Sequence, residues 1–488
     1  MSVLLLQPAV LSRTGGRFGA IANGLMALGM YLRERGQEVH ICHLNGYRGE
    51  IGEFVREKLN AYAPEAVGVN LTWHTHCSTA LEMVAAVRRH SPDLPVFLGG
   101  YTASLFDEQI LTWAAARAPA YLPTAIIRGD GEETFERYLR DHELPEVGVS
   151  YLGSTGQFIR RPLRTPAEAL PRVRLPRPVT DFVDDWPQYL QRGGIRTSVP
   201  GIEGMVGHDI GKGEVDIYLG KGCRNNCVYC GGSRDAHRLL SGRKRVAFRE
   251  PTDVVEDMVA LVEAGAGRLY LDFDPDPSRS FYHEIFRGLS PLEADIMFSA
   301  WSGPLPGDLL DAMAGASSGV EVVISPDSGS ERLRRELISR GHGKPPFYSN
   351  AELEAFFGEL ARRGMAGMCY FITGLPWETE QDREETIALG RRLAERYPGV
   401  FAKEYDARPD RNLAGPPLYL EPGSPIHLNP AEFGMQITRS SFADFEAASR
   451  ETGDDVLGVF HERYPNEQAV LSQSRALTES VHGREEHG

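Results

Sequence analysis

No stretch of about 18 apolar residues occurs in this 488-residue chain, so hydropathy predicts no membrane-spanning helix. The run from Met1 to Gln7 has neither a basic prelude nor a small-residue cleavage site, which argues against a secretory leader and for a cytoplasmic location. Positive charge is scarce. Fifty-two Lys and Arg against 67 Asp and Glu leave a net charge of −15, which disfavours nucleic acid and anionic membranes as partners, because both are held chiefly by Lys and Arg. Cysteine is scarce too, and six in a chain of this length exclude a disulfide scaffold. Internal repeats and long low-complexity tracts are absent. What remains is an ordinary globular composition, 42% hydrophobic and 24% charged, with room at roughly 150 residues per domain for two large domains and a smaller element.

The first 145 residues alternate short apolar runs with amphipathic stretches. Val3 to Gln7, Val39 to His43, Ala66 to Leu71, Val96 to Leu98 and Ala125 to Ile127 read as strands, and Ile21, Leu25, Leu28 and Leu32 recur at helical spacing between them. Such alternation predicts a doubly wound, Rossmann-like parallel sheet with ligands at the carboxyl ends of its strands. From Arg161 to about Pro200 the chain turns Pro- and Arg-rich, as a linker that crosses a surface. A second series follows: Val215 to Leu219, Arg268 to Phe273, Ile296 to Ala300, Val320 to Ser325, Met368 to Ile372 and Phe401 to Asp406. Six strand and helix units suggest a partial barrel, although alternation alone also allows another doubly wound sheet.

Three of the six cysteines share one glycine-flanked loop, Gly222-Cys223-Arg224-Asn225-Asn226-Cys227-Val228-Tyr229-Cys230-Gly231. Thiolates are soft ligands, and this spacing wraps three of them around one metal centre. On a four-iron cluster three thiolates leave one iron open to a cofactor or substrate. The alternative is a structural zinc with His237 as fourth ligand, although zinc knuckles usually pair C-x-x-C units. Cys42, Cys77 and Cys369 read as small buried apolar residues.

The C-x-x-x-C-x-x-C spacing, with Tyr229 before the last cysteine, resembles the radical S-adenosylmethionine (SAM) superfamily. The resemblance implies a 4Fe-4S cluster on Cys223, Cys227 and Cys230, SAM chelated by the open iron and cleaved to a 5′-deoxyadenosyl radical, and a one-electron donor such as flavodoxin or ferredoxin. It carries SAM contacts onto Tyr229, onto Ser325, Asp327 and Ser328 of the fourth-strand segment Val322 to Ser330, and onto Ile372 and Gly374 of the fifth-strand turn. The second strand departs from the pattern. It lacks Gly-Gly-Glu and reads Leu271-Asp272-Phe273-Asp274-Pro275, which makes Asp272 and Asp274 the candidates there, with an exposed loop carboxylate as the other reading.

The N-terminal sheet resembles the cobalamin-binding domains of this class through Val96 to Thr102 and Ile127 to Glu133. That resemblance implies cobalamin contacts at Asn70, Thr72, Gly99, Gly100, Tyr101, Gly129 and Glu132, where glycines let backbone approach a large flat ligand. An Asp-x-His-x-x-Gly motif is missing, so no histidine of this domain is expected on cobalt. His74 and His76 read as hydrogen-bonding loop residues.

The fold expected is α/β: a cobalamin-binding Rossmann-like domain over 1–150, a linker over 151–205, a partial (β/α)6 radical SAM barrel over 206–410, and a small, mostly helical C-terminal region over 411–488. Within that last region Leu413 to Pro425, with Pro416, Pro417 and Pro422 around Tyr419, is expected to cover the barrel mouth, and His482 to Gly488 to fray. The function implied is methyl transfer from methylcobalamin to an unactivated carbon of a small-molecule substrate. Rearrangement, ring contraction, cyclisation and polar methylation would use the same motifs. A cobalamin-responsive regulator or an iron–sulfur binding module would need no open iron.

Overall fold

A computed structural model describes residues 2–11, 17–191, 213–317, 319–401, 413–414, 418, 420–451, 469, 472–473 and 476–477. The first sheet contains β1 (Ser2–Gln7), β2 (Glu38–His43), β3 (Ala66–Asn70), β4 (Val96–Gly99), β5 (Ala125–Ile127), β6 (Val149–Leu152) and β7 (Phe158–Arg160), in the order 2-1-3-4-5-6-7. Strands β1 to β5 are parallel, and β6 and β7 join antiparallel. Helices α1 (Asn23–Arg33), α2 (Ile51–Tyr62), α3 (Cys77–His90), α4 (Tyr101–Leu105), α5 (Asp107–Arg117) and α6 (Glu132–Asp141) fill the connections. β1 and β3 are apolar along nearly their whole length because both faces are covered; every residue from Val3 to Gln7 and from Ala66 to Asn70 is buried. The 2-1-3 order puts the topological switch between β1 and β3, where doubly wound sheets open a crevice at their carboxyl ends.

The second sheet, β8 (Glu214–Asp216), β9 (Arg268–Leu271), β10 (Asp295–Ala300), β11 (Val320–Asp327), β12 (Ala366–Phe371) and β13 (Leu413–Ala414), is parallel and strictly in chain order. A doubly wound sheet would reverse direction, so the order decides for the partial barrel. Its helices include α7 (Arg234–Ser241), α8 (Pro251–Glu263), α9 (Ser280–Gly288), α10 (Gly307–Ala316), α11 (Asn350–Arg363) and α12 (Glu380–Arg396). Side chains alternate along each strand. Leu269, Leu271, Ile296, Phe298, Val322 and Ile324 belong to the main core with the helices, while Tyr270, Met297, Val323 and Met368 form a separate cluster from the opposite strand faces. At the amino ends, buried Arg268 pairs with Glu214 at 3.4 Å and Glu321 at 3.6 Å.

Three segments depart from the sequence expectations. The first sheet continues past residue 150 to Arg160 through the β6–β7 hairpin. Phe401 ends the short helix Pro398–Phe401 rather than starting a strand, and β12 pairs with Leu413–Ala414; the remainder of the expected strand, 402–406, lies outside the described residues, as do Pro416, Pro417, Tyr419 and 482–488. The Pro/Arg-rich segment crosses between the domains and is fixed to both. Arg172 and Arg174 hold Asp253 of α8, the Leu175 amide donates to Asp257 at 2.7 Å, and Phe182 to Asp184 bond the edge of β2 at Ile41. A C-terminal helix, α13 (Phe442–Glu451), packs on the first domain, where the Ser78 amide donates to Ser449 Oγ at 2.9 Å and the Phe442 amide to Gln109 Oε1 at 2.7 Å.

Candidate active site

Strand ends of both domains line one cavity of about 630 Å³. The first domain contributes Thr72 after β3, Gly100 and Tyr101 after β4, and Gly129 and Asp130 after β5. The barrel contributes Tyr218 after β8, Asp272 and Phe273 after β9, Trp301 after β10, and Ser325 of β11. All three loop cysteines line it as well.

The loop is shaped by a two-residue ladder in which Gly220 and Lys221 pair with Phe248 and Ala247. Gly222 follows at φ 93°, and a Cβ there would stand 2.8 Å from the Arg245 carbonyl oxygen, so the turn into Cys223 admits only glycine. Cys227 and Cys230 share one tight turn through the Cys230 amide and Cys227 carbonyl, and α7 starts at the Ser233 cap. Burial raises all three thiol pKa values, that of Cys227 to about 12, with Lys344 pulling Cys223 and Cys227 the other way. A bound metal centre would take these groups as thiolates, so loading releases protons. Among the described residues no three His, Cys, Asp or Glu side chains converge on a single-ion site. His237, the candidate fourth zinc ligand, bonds Tyr101 through its ring instead. Three thiols on one loop that opens onto a shared cavity fit a multi-iron cluster with an open iron.

The fourth-strand motif closes around the loop. Asp327, at φ 69°, accepts from Tyr229 Oη at 2.8 Å and Lys344 Nζ at 2.6 Å, and Lys344 also donates to the Ser325 carbonyl at 3.0 Å. Burial, the largest influence, drives the Lys344 pKa down, but Asp327 together with Cys227 and Cys230 outweighs it and the net shift is upward, so Lys344 is charged. Asp272 stays exposed and accepts from Trp301 Nε1 at 3.1 Å.

Several expected contacts are corrected. Asp274 is fully buried and accepts from Arg279 at 2.9 and 3.1 Å and from the Ser302 amide at 2.9 Å, so it is neither an exposed loop carboxylate nor open to SAM. Ser328 is buried against Thr386 and the Ser330 amide. Ile372 packs in the apolar cluster that carries Val228 and Tyr229, its amide on the Asp327 carbonyl, and the Gly374 amide donates to Glu378 at 3.0 Å; neither residue lines the cavity.

On the first domain a slot of about 110 Å³ adjoins the cavity, lined by Gly24, Gly68, Gly99, Gly129 and Gly131 with Asn70, Thr72, Phe135 and Glu132. With Gly100, six glycines line it, and a Cβ at Gly24 would meet nothing within 4 Å. This open cradle, continuous with the cavity through Gly24, Thr72, Gly100 and Gly129, fits a large flat ligand with an appended tail. Gly100 has a different reason to be glycine: at φ 110° its Cβ would lie 2.7 Å from Leu71 and Thr72 backbone, so a larger residue disturbs the protein before any ligand. Asn70 is engaged within the domain, donating to Gln7 at 3.0 Å and accepting from Thr72 at 2.8 Å. Glu132 pairs with Lys221 at 2.5 Å. His74 and His76 are buried, with pKa values pulled down by burial to about 3 and about 4, and His74 lines the cavity edge-on to Phe445.

Sequence reading missed Gly24, Lys221, Trp301, Lys344 and Glu421. Glu421 lines the cavity and accepts from the Gly231 amide at 2.6 Å. Lys221 stands two residues before the first cysteine, an available signal; Lys344 and Glu421 sit in irregular segments with no periodicity to mark them.

Residues 217–390 match the family model of the Radical SAM superfamily, and residues 18–139 that of the B12 binding domain. Solved structures share the fold. The radical SAM methyltransferase TsrM from Kitasatospora setae, with tryptophan substrate and a SAM analogue bound, is 19% identical over 88% of this chain and 76% of that one, with a TM-score of 0.60. The same protein with cobalamin and a [4Fe-4S] cluster gives 18% identity, 91% and 84% coverage and a TM-score of 0.62. The cobalamin-dependent SAM radical enzyme OxsB, with aqua-cobalamin and SAM, gives 15% identity over 97% of this chain but 65% of that one, with a TM-score of 0.64. No curated protein matches the chain.

Proposed function

Because the chain is a cobalamin-dependent radical SAM enzyme, with its B12-binding domain at 18–139 and its radical SAM domain at 217–390, we propose that it transfers a methyl group from methylcobalamin to an unactivated carbon of a small molecule. The observation that carries this reading is the single cavity of about 630 Å³ lined at once by the three cysteines and by Thr72, Gly100, Tyr101 and Gly129 of the other domain. Radical cleavage of SAM supplies hydrogen abstraction, and methylcobalamin supplies the methyl group. Everything else is left to the residues. Cys223, Cys227 and Cys230 hold the cluster, with Tyr229 kept in place by Asp327 and Lys344. Ser325 and Asp272, both on the cavity, serve SAM; Thr72, Gly99, Gly100, Tyr101 and Gly129, joined by Gly24, serve cobalamin. Phe273, Trp301, Tyr218 and Trp73 make much of the remaining wall aromatic, which shields a reactive carbon from water and holds it between the two cofactors.

Reduced, reconstituted protein incubated with methyl-deuterated SAM and candidate substrates tests this directly. Methyl transfer requires one 5′-deoxyadenosine and one S-adenosylhomocysteine per labelled product, after correction for uncoupled cleavage. Product of unchanged carbon count without S-adenosylhomocysteine would mean rearrangement, and S-adenosylhomocysteine without deoxyadenosine would mean polar methylation; either overturns the proposal.

A further inference from the structure

A second depression, of about 340 Å³, lies beside the cysteine loop, and its lining holds Arg224, Arg234, Lys244 and Arg245 against one carboxylate, Asp276. Four cations around one hollow stand out in a chain of net charge −15. Their neutralisation is partial. Arg224 pairs with Asp276 at 3.1 Å and Arg234 with Asp235 at 3.0 Å, while Arg245 faces Glu168 at 3.6 Å with both side chains more than four-fifths exposed, where an ion pair is worth little. Lys244 is exposed and has no ion-pair partner among the described residues.

The position of this hollow matters more than its charge. Cys223 lines both the basic depression and the inter-domain cavity, so the loop is reached from two sides. The cavity side serves SAM, cobalamin and substrate in the reading above. A macromolecular reductant must come from the other.

On that reading, we propose that the Arg224, Arg234, Lys244 and Arg245 surface docks an acidic one-electron donor protein of the flavodoxin or ferredoxin class, bringing its redox centre against the Cys223 side of the cluster. One electron crosses, oxidising the donor by one and reducing the cluster by one; no bond forms or breaks. A positive patch on a negative protein steers an acidic partner to that patch and keeps it off the rest of the surface, and such steering weakens with salt.

The test uses full-length reconstituted protein and a purified bacterial flavodoxin, with binding measured by surface plasmon resonance at low and high ionic strength. Lys244→Glu/Arg245→Glu should weaken binding by about tenfold or more at low salt and flatten its salt dependence, with Lys244→Gln/Arg245→Gln intermediate. Iron content and reduction of the cluster by dithionite should match the unsubstituted protein, and reduction by flavodoxin hydroquinone should slow with the binding loss. Equal, salt-insensitive flavodoxin binding by both variants would overturn the surface while leaving the methyl-transfer reading intact. Failure of dithionite to reduce an assembled cluster in the unsubstituted protein would overturn both.

Discussion

Lys221 Nζ lies 2.5 Å from Glu132 Oε1, joining the strand that leads into the cysteine loop to the first turn of α6 across the domain interface. Asp130 accepts from Lys221 at 3.3 Å and from Arg243, so two cations of the barrel meet two carboxylates of the first domain. The side chains of Lys221 and Glu132 are only 16% and 11% exposed, which makes this a largely desolvated latch rather than a surface pair.

Removing Lys221 leaves Glu132 buried without its cation, and loss of one partner of a buried pair costs about 3 kcal/mol. Lys221→Ala should lower stability by that order, and adding Glu132→Gln should recover part of it. A double-mutant cycle on denaturant midpoints measures the coupling; additive effects would show that the latch is not what holds the interface.

Replacing Cys223, Cys227 or Cys230 by Ala should abolish the cluster, because among the described residues only these thiols share a loop on the cavity. Iron and sulfide analysis after anaerobic reconstitution gives the answer. Retention of zinc with neither iron nor sulfide would instead support the structural-zinc reading.

Gly24→Leu should leave the unfolding temperature unchanged or slightly raised, since a Cβ there meets nothing within 4 Å and leucine favours helix more than glycine does. The same side chain enters the slot and cavity and should abolish hydroxocobalamin binding followed by visible absorption. Gly100→Ala should fail differently, by destabilising the protein itself. Cobalt(II) electron paramagnetic resonance of the loaded protein should show no nitrogen splitting that disappears on His74→Ala or His76→Ala.

The two carboxylates after β9 should separate cleanly. Asp274→Ala strands the buried Arg279 guanidinium and should destabilise by about 3 to 5 kcal/mol in chemical denaturation. Asp272→Ala should leave stability within about 0.5 kcal/mol, as surface substitutions usually do, and weaken SAM binding in equilibrium dialysis.

Burial holds the imidazoles of His43, His76 and His427 neutral, each with its pKa lowered from 6.5 to about 4. The unfolded chain therefore binds protons below pH 6.5 that the folded chain refuses until about pH 4. Their contribution to stability is whole above pH 6.5 and lost as pH falls through the folded value. The unfolding temperature should be flat from about pH 8 to 7 and decline below 6.5; imidazole proton shifts that titrate near 6.5 in the folded protein would contradict this.

Much of the fold was legible because parallel strands covered on both faces must be apolar along their length, and Val3 to Gln7 or Ala66 to Leu71 could be little else. The β6–β7 hairpin escaped because its strands are short and, beyond the buried Val149 and Ser150, only partly covered, and Phe401 misled because Phe401 to Asp406 holds only three apolar residues, too few to distinguish a strand from a helix end. The cysteine loop was legible for a chemical reason, since three thiols gathered among glycines have no packing purpose.

What the sequence determined by itself was therefore the local chemistry: three thiols gathered in one glycine-flanked loop, and the alternating runs that supply most strands of two mainly parallel sheets. Only tertiary structure decided that Asp272 faces the cavity while Asp274 is closed off by Arg279, that Glu132 belongs to Lys221, 89 residues away, and that Gly24 rather than Gly100 leaves open space for a ligand. Neighbouring residues of one type look alike in a sequence. Desolvation and charge pairing across the fold separate them, because whether a carboxylate is solvated, paired or free to bind depends on groups that the chain brings together only when its two domains pack.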